Sequence, residues 1–101
     1  MRYDKPITVQ VQDPETEVWE DRLHLHANIN KTGGGAEFTA GAEQNRASLT
    51  FRLRYAKALE DIAYNTPHFR ILYRGRTFRV VDYDDFMEQH REIKLVGEYY
   101  G

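Results

Sequence analysis

His24 and His26 are the two side chains in this sequence that are best spaced to bind a metal ion. Residues two apart on a strand point to the same side, so both imidazoles could contact one ion. A complete site needs further ligands, and nothing in the spacing brings the candidate suppliers close; these are Glu20, Asp21, His68 and His90. We therefore expect no metal site and no cofactor, and a strand face in contact with water.

A group of acidic residues near the C-terminus resembles a calcium-binding loop only superficially. Its members are Asp82, Asp84, Asp85 and Glu88. An EF-hand loop needs an oxygen ligand at its fifth position and a glycine at its sixth, and these positions here hold Phe86 and Met87. The sequence predicts an acidic turn between two strands instead.

No residue pattern in the chain indicates catalysis. The glycine run at residues 33–35 is not followed by the Gly-Lys-Ser/Thr of a phosphate-binding loop or by a helix signal. Ser48 falls on a predicted strand and has no neighbouring base to activate it. We therefore expect no catalytic residues and a protein that is not an enzyme.

Arginines and aromatic residues are interleaved through the second half of the chain. On a small barrel such a pattern could hold single-stranded nucleic acid. The contacts would then be Arg52, Arg54, Arg74 and Arg76. Most of the aromatic residues, however, are in phase with the apolar positions, which indicates that they lie in the core. The formal net charge of -2 also provides no overall attraction to nucleic acid. Nucleic-acid binding is therefore the alternative hypothesis.

Length and composition fit one small domain over residues 1–101. Two domains in 101 residues would each be too small to bury a useful core. The chain has no cysteine, which excludes disulfides and thiolate metal sites. Its apolar stretches are too short to span a bilayer, and its N-terminus lacks the apolar core of a signal peptide. We therefore expect synthesis in the cytoplasm.

Alternation of apolar and polar residues predicts a mainly β fold. The clearest example runs from Ala47 to Tyr55, where every second residue is apolar or aromatic. The remaining alternating or apolar segments cover residues 7–12, 18–30, 69–73, 76–81 and 91–98. About six strands of this kind would form a small antiparallel β-barrel.

Three local features complete the predicted fold. Leu59 and Ile62 recur at helical spacing, which predicts one short helix over residues 56–65, packed across an open end of the sheet. Trp19 is in phase with the apolar residues of the second strand, so we expect it to anchor the core. The alternation fails over residues 31–46, which indicates a long, flexible and functional loop between strands 2 and 3.

A set of short motifs follows this strand order along the chain. They are Ile7-Thr8-Val9-Gln10, Trp19, Ala27, Glu37, Gly41, Leu53-Arg54-Tyr55, Arg70-Ile71, Tyr73-Arg74-Gly75-Arg76-Thr77-Phe78-Arg79-Val80 and Arg91-Glu92-Ile93-Lys94-Leu95. In their order and spacing the sequence resembles the phage head–tail joining family, which comprises head completion, stopper and head–tail adaptor proteins. The resemblance covers nearly the full length.

The resemblance implies a structural protein of the virion. Proteins of this kind form a ring of small β-barrels between portal and tail, close the DNA channel and dock the tail. The implied partners are a portal or head–tail adaptor protein, a tail completion protein and further copies of the chain. Packaged DNA would lie close only because it passes through the channel, and no membrane is involved. The implied location is the neck of the virion, after synthesis in the bacterial host cytoplasm.

The resemblance also implies roles for particular residues. The loop between the second and third strands would face the channel, with Lys31, Gly33, Gly34, Gly35, Glu37 and Arg46. Charged residues elsewhere would contact neighbouring subunits or partners, because balanced acidic and basic faces suit such contacts. These residues are Arg52, Arg54, Arg74, Arg76, Asp82, Asp84 and Asp85.

Overall fold

The computed structural model of the protein describes residues 2–31 and 48–100. Its strands are β1 (Lys5–Gln12), β2 (Trp19–Lys31), β3 (Ser48–Arg54), β4 (Phe69–Tyr73), β5 (Arg76–Asp85) and β6 (Glu92–Tyr99). A 3₁₀ turn (Lys57–Leu59), helix α1 (Glu60–Tyr64) and a second 3₁₀ turn (Thr66–His68) connect β3 to β4, and a third (Phe86–Glu88) connects β5 to β6. The predicted mainly β fold with six strands and one short helix is confirmed.

The six strands form one closed antiparallel sheet in the order β1-β2-β3-β6-β5-β4, and β4 pairs again with β1. Each strand therefore has two hydrogen-bonded neighbours, so the described sheet has no free edge. The connection that contains α1 and the turn at residues 13–18 lie at one end of the sheet, which we call the helix end. The Arg74-Gly75 turn and Lys31 lie at the opposite end.

The core fills the inside of the closed sheet. Every strand contributes buried apolar side chains, which are Ile7, Val9, Ala27, Phe51, Leu53, Phe69, Ile71, Phe78, Val80, Ile93 and Leu95. Leu59 and Ile62, both 0% exposed, join the same cluster from the connection between β3 and β4. The helical segment thus covers the helix end of the core, as its spacing predicted.

Gly97 of β6 is required by close packing inside the sheet. A Cβ atom added there would lie 2.9 Å from Cε1 of Phe51 and 3.0 Å from Cβ of Phe78. The two phenyl rings pack edge to face, with centroids 5.5 Å apart. A glycine on β6 therefore leaves the space that two large aromatic side chains occupy.

A bulge in β2 changes the side to which Trp19 points. Val9 pairs with Leu23, but Gln10 pairs with Asp21, so Arg22 is an extra residue in β2. An extra residue reverses the alternation of a strand, and Trp19 accordingly lies half-buried on the outer side of the sheet. The prediction that Trp19 anchors the core is wrong.

A second bulge corrects the prediction for the acidic residues of β5. The pairing of β5 with β6 shifts between Val80 and Asp82, and Val81 is 43% exposed at the shift. Beyond the bulge β5 continues to Asp85, opposite Ile93 of β6. Asp82, Asp84 and Asp85 therefore belong to β5, and of the four acidic residues only Glu88 lies in the following turn. In the sequence, the break in alternation near Val81 indicated the end of the strand. In the structure, the extra residue of the bulge accounts for that break, and β5 continues beyond it.

Candidate functional site

The hairpin of β4 and β5 is rich in arginine. We call residues 69–79 the arginine hairpin, because they include four arginines and no acidic residue: Arg70, Arg74, Arg76 and Arg79. Its two-residue turn has φ values of 52° at Arg74 and 74° at Gly75. Positive φ at both positions is the requirement of a type I′ turn, whose twist matches that of the flanking strands.

The arginines at the tip of this hairpin are exposed and backed by aromatic rings. The guanidinium carbon of Arg74 lies 5.6 Å from the ring centre of Tyr73, and that of Arg76 lies 5.9 Å from that of Tyr99. Within the described ranges neither arginine forms an ion pair. Both charges are therefore accessible to a partner.

Arg70 is held in place on the outer side of the sheet. Its guanidinium carbon lies 4.3 Å from the ring centre of Trp19, and its Nε donates a hydrogen bond of 2.6 Å to Oε1 of Gln10. Its Nη1 donates a longer bond of 3.2 Å to the hydroxyl of Tyr100. Tryptophan, tyrosine and arginine are the residues that most often dominate binding energy at protein interfaces. Sequence reasoning missed this group because the bulge at Arg22 turns Trp19 outward.

The turn between β1 and β2 is acidic, in contrast to the arginine hairpin. We call residues 13–21 the acidic hairpin, because they include five carboxylates and no basic residue: Asp13, Glu15, Glu17, Glu20 and Asp21. The carboxylate of Asp13 accepts hydrogen bonds from the backbone N–H groups of Glu15 (2.7 Å) and Thr16 (3.1 Å), which stabilises the turn. Asp21 accepts a bond of 2.7 Å from the amide of Gln10.

The other three carboxylates of the acidic hairpin are exposed. The side chains of Glu15, Glu17 and Glu20 have no ion pair or hydrogen bond to any other described residue. Val18 lies among them and is 56% exposed. The acidic hairpin thus presents an apolar patch, Val18 and Trp19, with free negative charge around it.

Arg52 and Arg54 of β3 are engaged within the chain. The hydroxyl of Tyr3 donates a hydrogen bond of 2.7 Å to Oε2 of Glu92, and the guanidinium carbon of Arg54 lies 4.9 Å from the Tyr3 ring centre. The bond to Glu92 raises the pKa of Tyr3. Arg52 approaches the same glutamate, with Nη1 3.8 Å from Oε1. The N-terminal segment therefore covers part of the outer side of β3.

The four arginines of the nucleic-acid hypothesis lie on two separate parts of the molecule. Arg54 ends β3 at the helix end, whereas Arg74 and Arg76 lie at the opposite end. Strand β6 separates β3 from β5 in the sheet. Binding a single strand requires a continuous basic groove with stacking platforms, and the structure does not bring these arginines together in one.

The aspartates of β5 differ in accessibility. Asp82 and Asp84 are exposed, and Asp84 lies opposite Lys94 of β6. Asp85 has a side chain only 9% exposed, whose Oδ2 lies 2.9 Å from Nδ1 of His90 and whose Oδ1 accepts a bond of 3.0 Å from the His90 backbone N–H. Asp85 therefore stabilises the turn between β5 and β6, while Asp82 and Asp84 are free to contact a partner.

A polar cluster next to this turn connects α1 to the turn between β5 and β6. The ring of Tyr55 lies 4.5 Å from that of His90, and the Tyr55 hydroxyl donates a hydrogen bond to Glu60. That bond raises the pKa of Tyr55 to about 12. Burial, with a contribution from Asp85, raises the pKa of Tyr83 to about 12 as well.

The remaining candidate residues carry no site in the described chain. His24 and His26 are exposed on the outer side of β2, with Nδ1 of His24 3.2 Å from Oγ1 of Thr8. Residues 2–31 and 48–100 contain no group of three or more His, Cys, Asp or Glu that could hold a metal ion. Nor do they contain a helix long and apolar enough to cross a membrane. Lys31 is exposed at the end of β2, and Gly33, Gly34, Gly35, Glu37 and Arg46 lie outside the described residues.

Comparison with known proteins identifies a family and a similar solved fold. The sequence profile of phage head completion proteins matches residues 4–98. The fold is similar to that of a chain in a solved structure described as the virion of a native gene transfer agent particle, with a TM-score of 0.61 and 13% sequence identity. The match covers 99% of this chain and 97% of that chain, and at this identity it shows the fold alone. No curated protein matches the sequence.

The profile match spans every residue that carried the resemblance found in the sequence, so that resemblance is confirmed. Head completion proteins are structural proteins of the phage virion, associated with other head or tail proteins. The expected structural role at the head–tail junction and the expected location in the virion are thereby confirmed. From its profile and its closed six-stranded sheet, we conclude that the chain belongs to the phage head completion protein family.

Proposed function

We propose that this protein forms a ring between the portal and the tail, closes the DNA channel after packaging and docks the tail. The observation that carries the proposal is the match to head completion proteins over residues 4–98. The immediate partners are a portal or head–tail adaptor protein on one side and a tail completion protein on the other. Packaged DNA passes close to the ring without being a specific ligand.

The closed sheet suits a part that is assembled with neighbours. Because no described strand has a free edge, β1 to β6 offer no position at which a neighbouring copy could add a strand. Contacts between subunits that involve the described residues therefore use side chains on the outer surface and at the turns. A ring of identical subunits also needs two different surfaces that fit each other.

We further propose that the segment between β2 and β3 faces the channel. The residues proposed to face the channel here are Lys31, at the end of β2, and Gly33, Gly34, Gly35, Glu37 and Arg46. The two strand ends that flank it, Lys31 and Ser48, lie at the end of the sheet that also carries the tip of the arginine hairpin. Charged contacts to neighbouring proteins are assigned to the accessible residues of the predicted set, which are Arg74, Arg76, Asp82 and Asp84.

The direct test uses particles assembled without this protein. We expect such heads to package DNA, to lose it after packaging and to remain without tails when viewed by electron microscopy. Addition of the purified chain should restore DNA retention and tail attachment. Normal numbers of tailed, DNA-filled particles in the absence of the chain would overturn the proposal.

The role of the channel segment can be tested separately from tail docking. Deletion of Gly33, Gly34 and Gly35 should leave the melting temperature unchanged and tails attached, but expose packaged DNA to leakage and nuclease. Replacement of the same three glycines by alanine is the control that keeps the length of the segment. Full DNA retention in the deletion variant would show that the segment is not needed to close the channel.

Within residues 2–31 and 48–100, the arginines of the nucleic-acid hypothesis do not form one basic groove. Titration with single-stranded DNA at two salt concentrations tests it, since phosphate contacts predict affinity that falls steeply with salt. Salt-sensitive binding that is lost in an Arg74→Gln, Arg76→Gln variant would restore that hypothesis.

A further inference from the structure

The arginine hairpin and the acidic hairpin point in opposite directions. β1 and β4 are antiparallel neighbours, with Val11 opposite Phe69 and Thr8 opposite Leu72. The turn that follows β1 therefore lies at the helix end, and the turn that follows β4 lies at the opposite end. Two surfaces of opposite charge thus occupy opposite ends of one face of the closed sheet.

The charges at the two tips have no partners within the described chain. Arg74 and Arg76 stack near tyrosine rings without an ion pair, and Glu15 and Glu17 are exposed without one. Complementary charge guides two surfaces into register and excludes contacts between like charges. Each hairpin therefore matches the other hairpin of a second copy better than it matches its own kind.

An interface also needs an apolar centre, because exposed ion pairs alone contribute little free energy. The acidic hairpin provides one in Val18, which is 56% exposed, and half-buried Trp19. The stacking of Arg70 fixes one face of the indole ring, so little side-chain entropy remains to be lost on binding. The aliphatic stems of Arg74 and Arg76, both exposed, can cover such a patch.

We propose that the arginine hairpin of one subunit docks on the acidic hairpin of the next subunit, with Arg74 and Arg76 facing Glu15 and Glu17 beside Val18 and Trp19. The contact joins two different surfaces of the same chain and is therefore heterologous, the type that closes into a ring when the rotation between subunits permits. This inference rests on the ring of the proposed function and identifies the surfaces that form it.

Charge reversal tests the contact. Particles lacking the chain are supplied with the wild type, an acidic-hairpin variant (Glu15→Lys, Glu17→Lys), an arginine-hairpin variant (Arg74→Glu, Arg76→Glu) or a chain with all four changes. Each two-residue variant should lower the yield of tailed, DNA-filled particles by at least about tenfold, because it places like charges in contact. The four-residue variant should restore the yield, because every contact between neighbours is again between opposite charges.

The controls separate this contact from folding and from net charge. The variant Asp4→Lys, Glu88→Lys changes the net charge by the same amount as the acidic-hairpin variant and should join tails normally. Circular dichroism and thermal unfolding of each purified variant identify a chain that fails to fold. A variant that fails is replaced by its neutral counterpart, with glutamine at the same two positions, for which a smaller loss of yield is expected.

The outcomes also distinguish this inference from the proposed function. If the wild type itself does not restore tail joining, the proposed function fails and the ring contact fails with it. If the wild type restores joining and either two-residue variant does so equally well, only the hairpin contact is overturned. The same holds if the four-residue variant stays as defective as its parents, or if the charge-matched control is as defective as the acidic-hairpin variant.

Discussion

The arginine hairpin and the acidic hairpin are built from neighbouring strands of one sheet. Alternation predicts which residues are buried in the first hairpin but not in the second. In the arginine hairpin the pairing is continuous from Tyr73 opposite Arg76 to Arg70 opposite Arg79. Alternation there places Ile71 and Phe78 inside, as expected. In the acidic hairpin the turn is longer and the bulge at Arg22 reverses the alternation. Alternation therefore identifies the buried face only where the pairing has no extra residue.

The largest expected difference between the hairpins is in their contribution to stability. Ile71→Ala should lower the free energy of unfolding by about 2–5 kcal/mol, because the side chain is fully buried. Trp19→Ala should lower it by only about 1 kcal/mol, since mainly the stacking with Arg70 is lost.

Urea unfolding of both variants measures this difference. Acrylamide quenching of the single tryptophan in the wild type provides an independent check of its exposure. Equal losses of stability together with a quencher-protected indole would show that Trp19 belongs to the core after all.

Two glycine substitutions distinguish the stability cost of close packing from that of an unfavourable backbone conformation. Gly97→Ala should cost about 1–3 kcal/mol, because the new methyl group would overlap Phe51 and Phe78. Gly75→Ala should cost about 1 kcal/mol for a different reason: space is free around this position, but its φ of +74° is unfavourable for a side chain. Thermal unfolding ranks the two, and a larger loss for Gly75→Ala would contradict the packing assigned to β6.

A substitution in the turn of the arginine hairpin should stabilise the protein. Arg74 has a φ of 52°, a value that asparagine adopts more readily than arginine. Arg74→Asn should therefore raise the free energy of unfolding by about 0.5 kcal/mol while weakening the proposed contact with the acidic hairpin. Arg74→Gln removes the same charge without the favourable turn residue and is the matched control. An Asn variant no more stable than the Gln variant would argue against a type I′ turn.

The smallest expected effect lies outside both hairpins, at the helix end. The hydrogen bond to Glu60 raises the pKa of Tyr55 to about 12, from its ordinary value of 10.0. A raised pKa means that the folded state holds its proton more tightly. The stability gained is therefore complete below pH 10 and is lost as the pH rises towards 12. Urea unfolding at several alkaline pH values should show a shallower decline in Tyr55→Phe than in the wild type, and identical slopes would contradict the bond.

Much of the fold could be predicted from the sequence because its information is local. The alternation in Ala47 to Tyr55 and the helical spacing of Leu59 and Ile62 depend on neighbouring residues alone, and both predictions agree with the structure wherever it describes the chain. The two errors, Trp19 in the core and an acidic turn at the aspartates of β5, both arise at bulges. A bulge is a property of strand pairing, which a single strand does not reveal.

The proposed interaction surfaces were less accessible to sequence reasoning because they depend on contacts between distant residues. Arg70 meets Gln10 sixty positions away, and Tyr3 meets Glu92 across almost the whole chain. The sequence predicted one set of charged contact residues and did not indicate which of them are exposed and which are bound within the chain. The structure places Arg74 and Arg76 at a free tip, while Asp85 is bound to His90 inside the chain.

The central claim is that this protein is a ring-forming structural part of the head–tail junction. Localised electron cryo-microscopy of the neck in assembled particles tests it most directly. We expect a ring of closed six-stranded sheets between portal and tail, with residues 31–46 towards the channel. Particles whose neck contains no copy of the chain, or contains it without a ring, would contradict the claim.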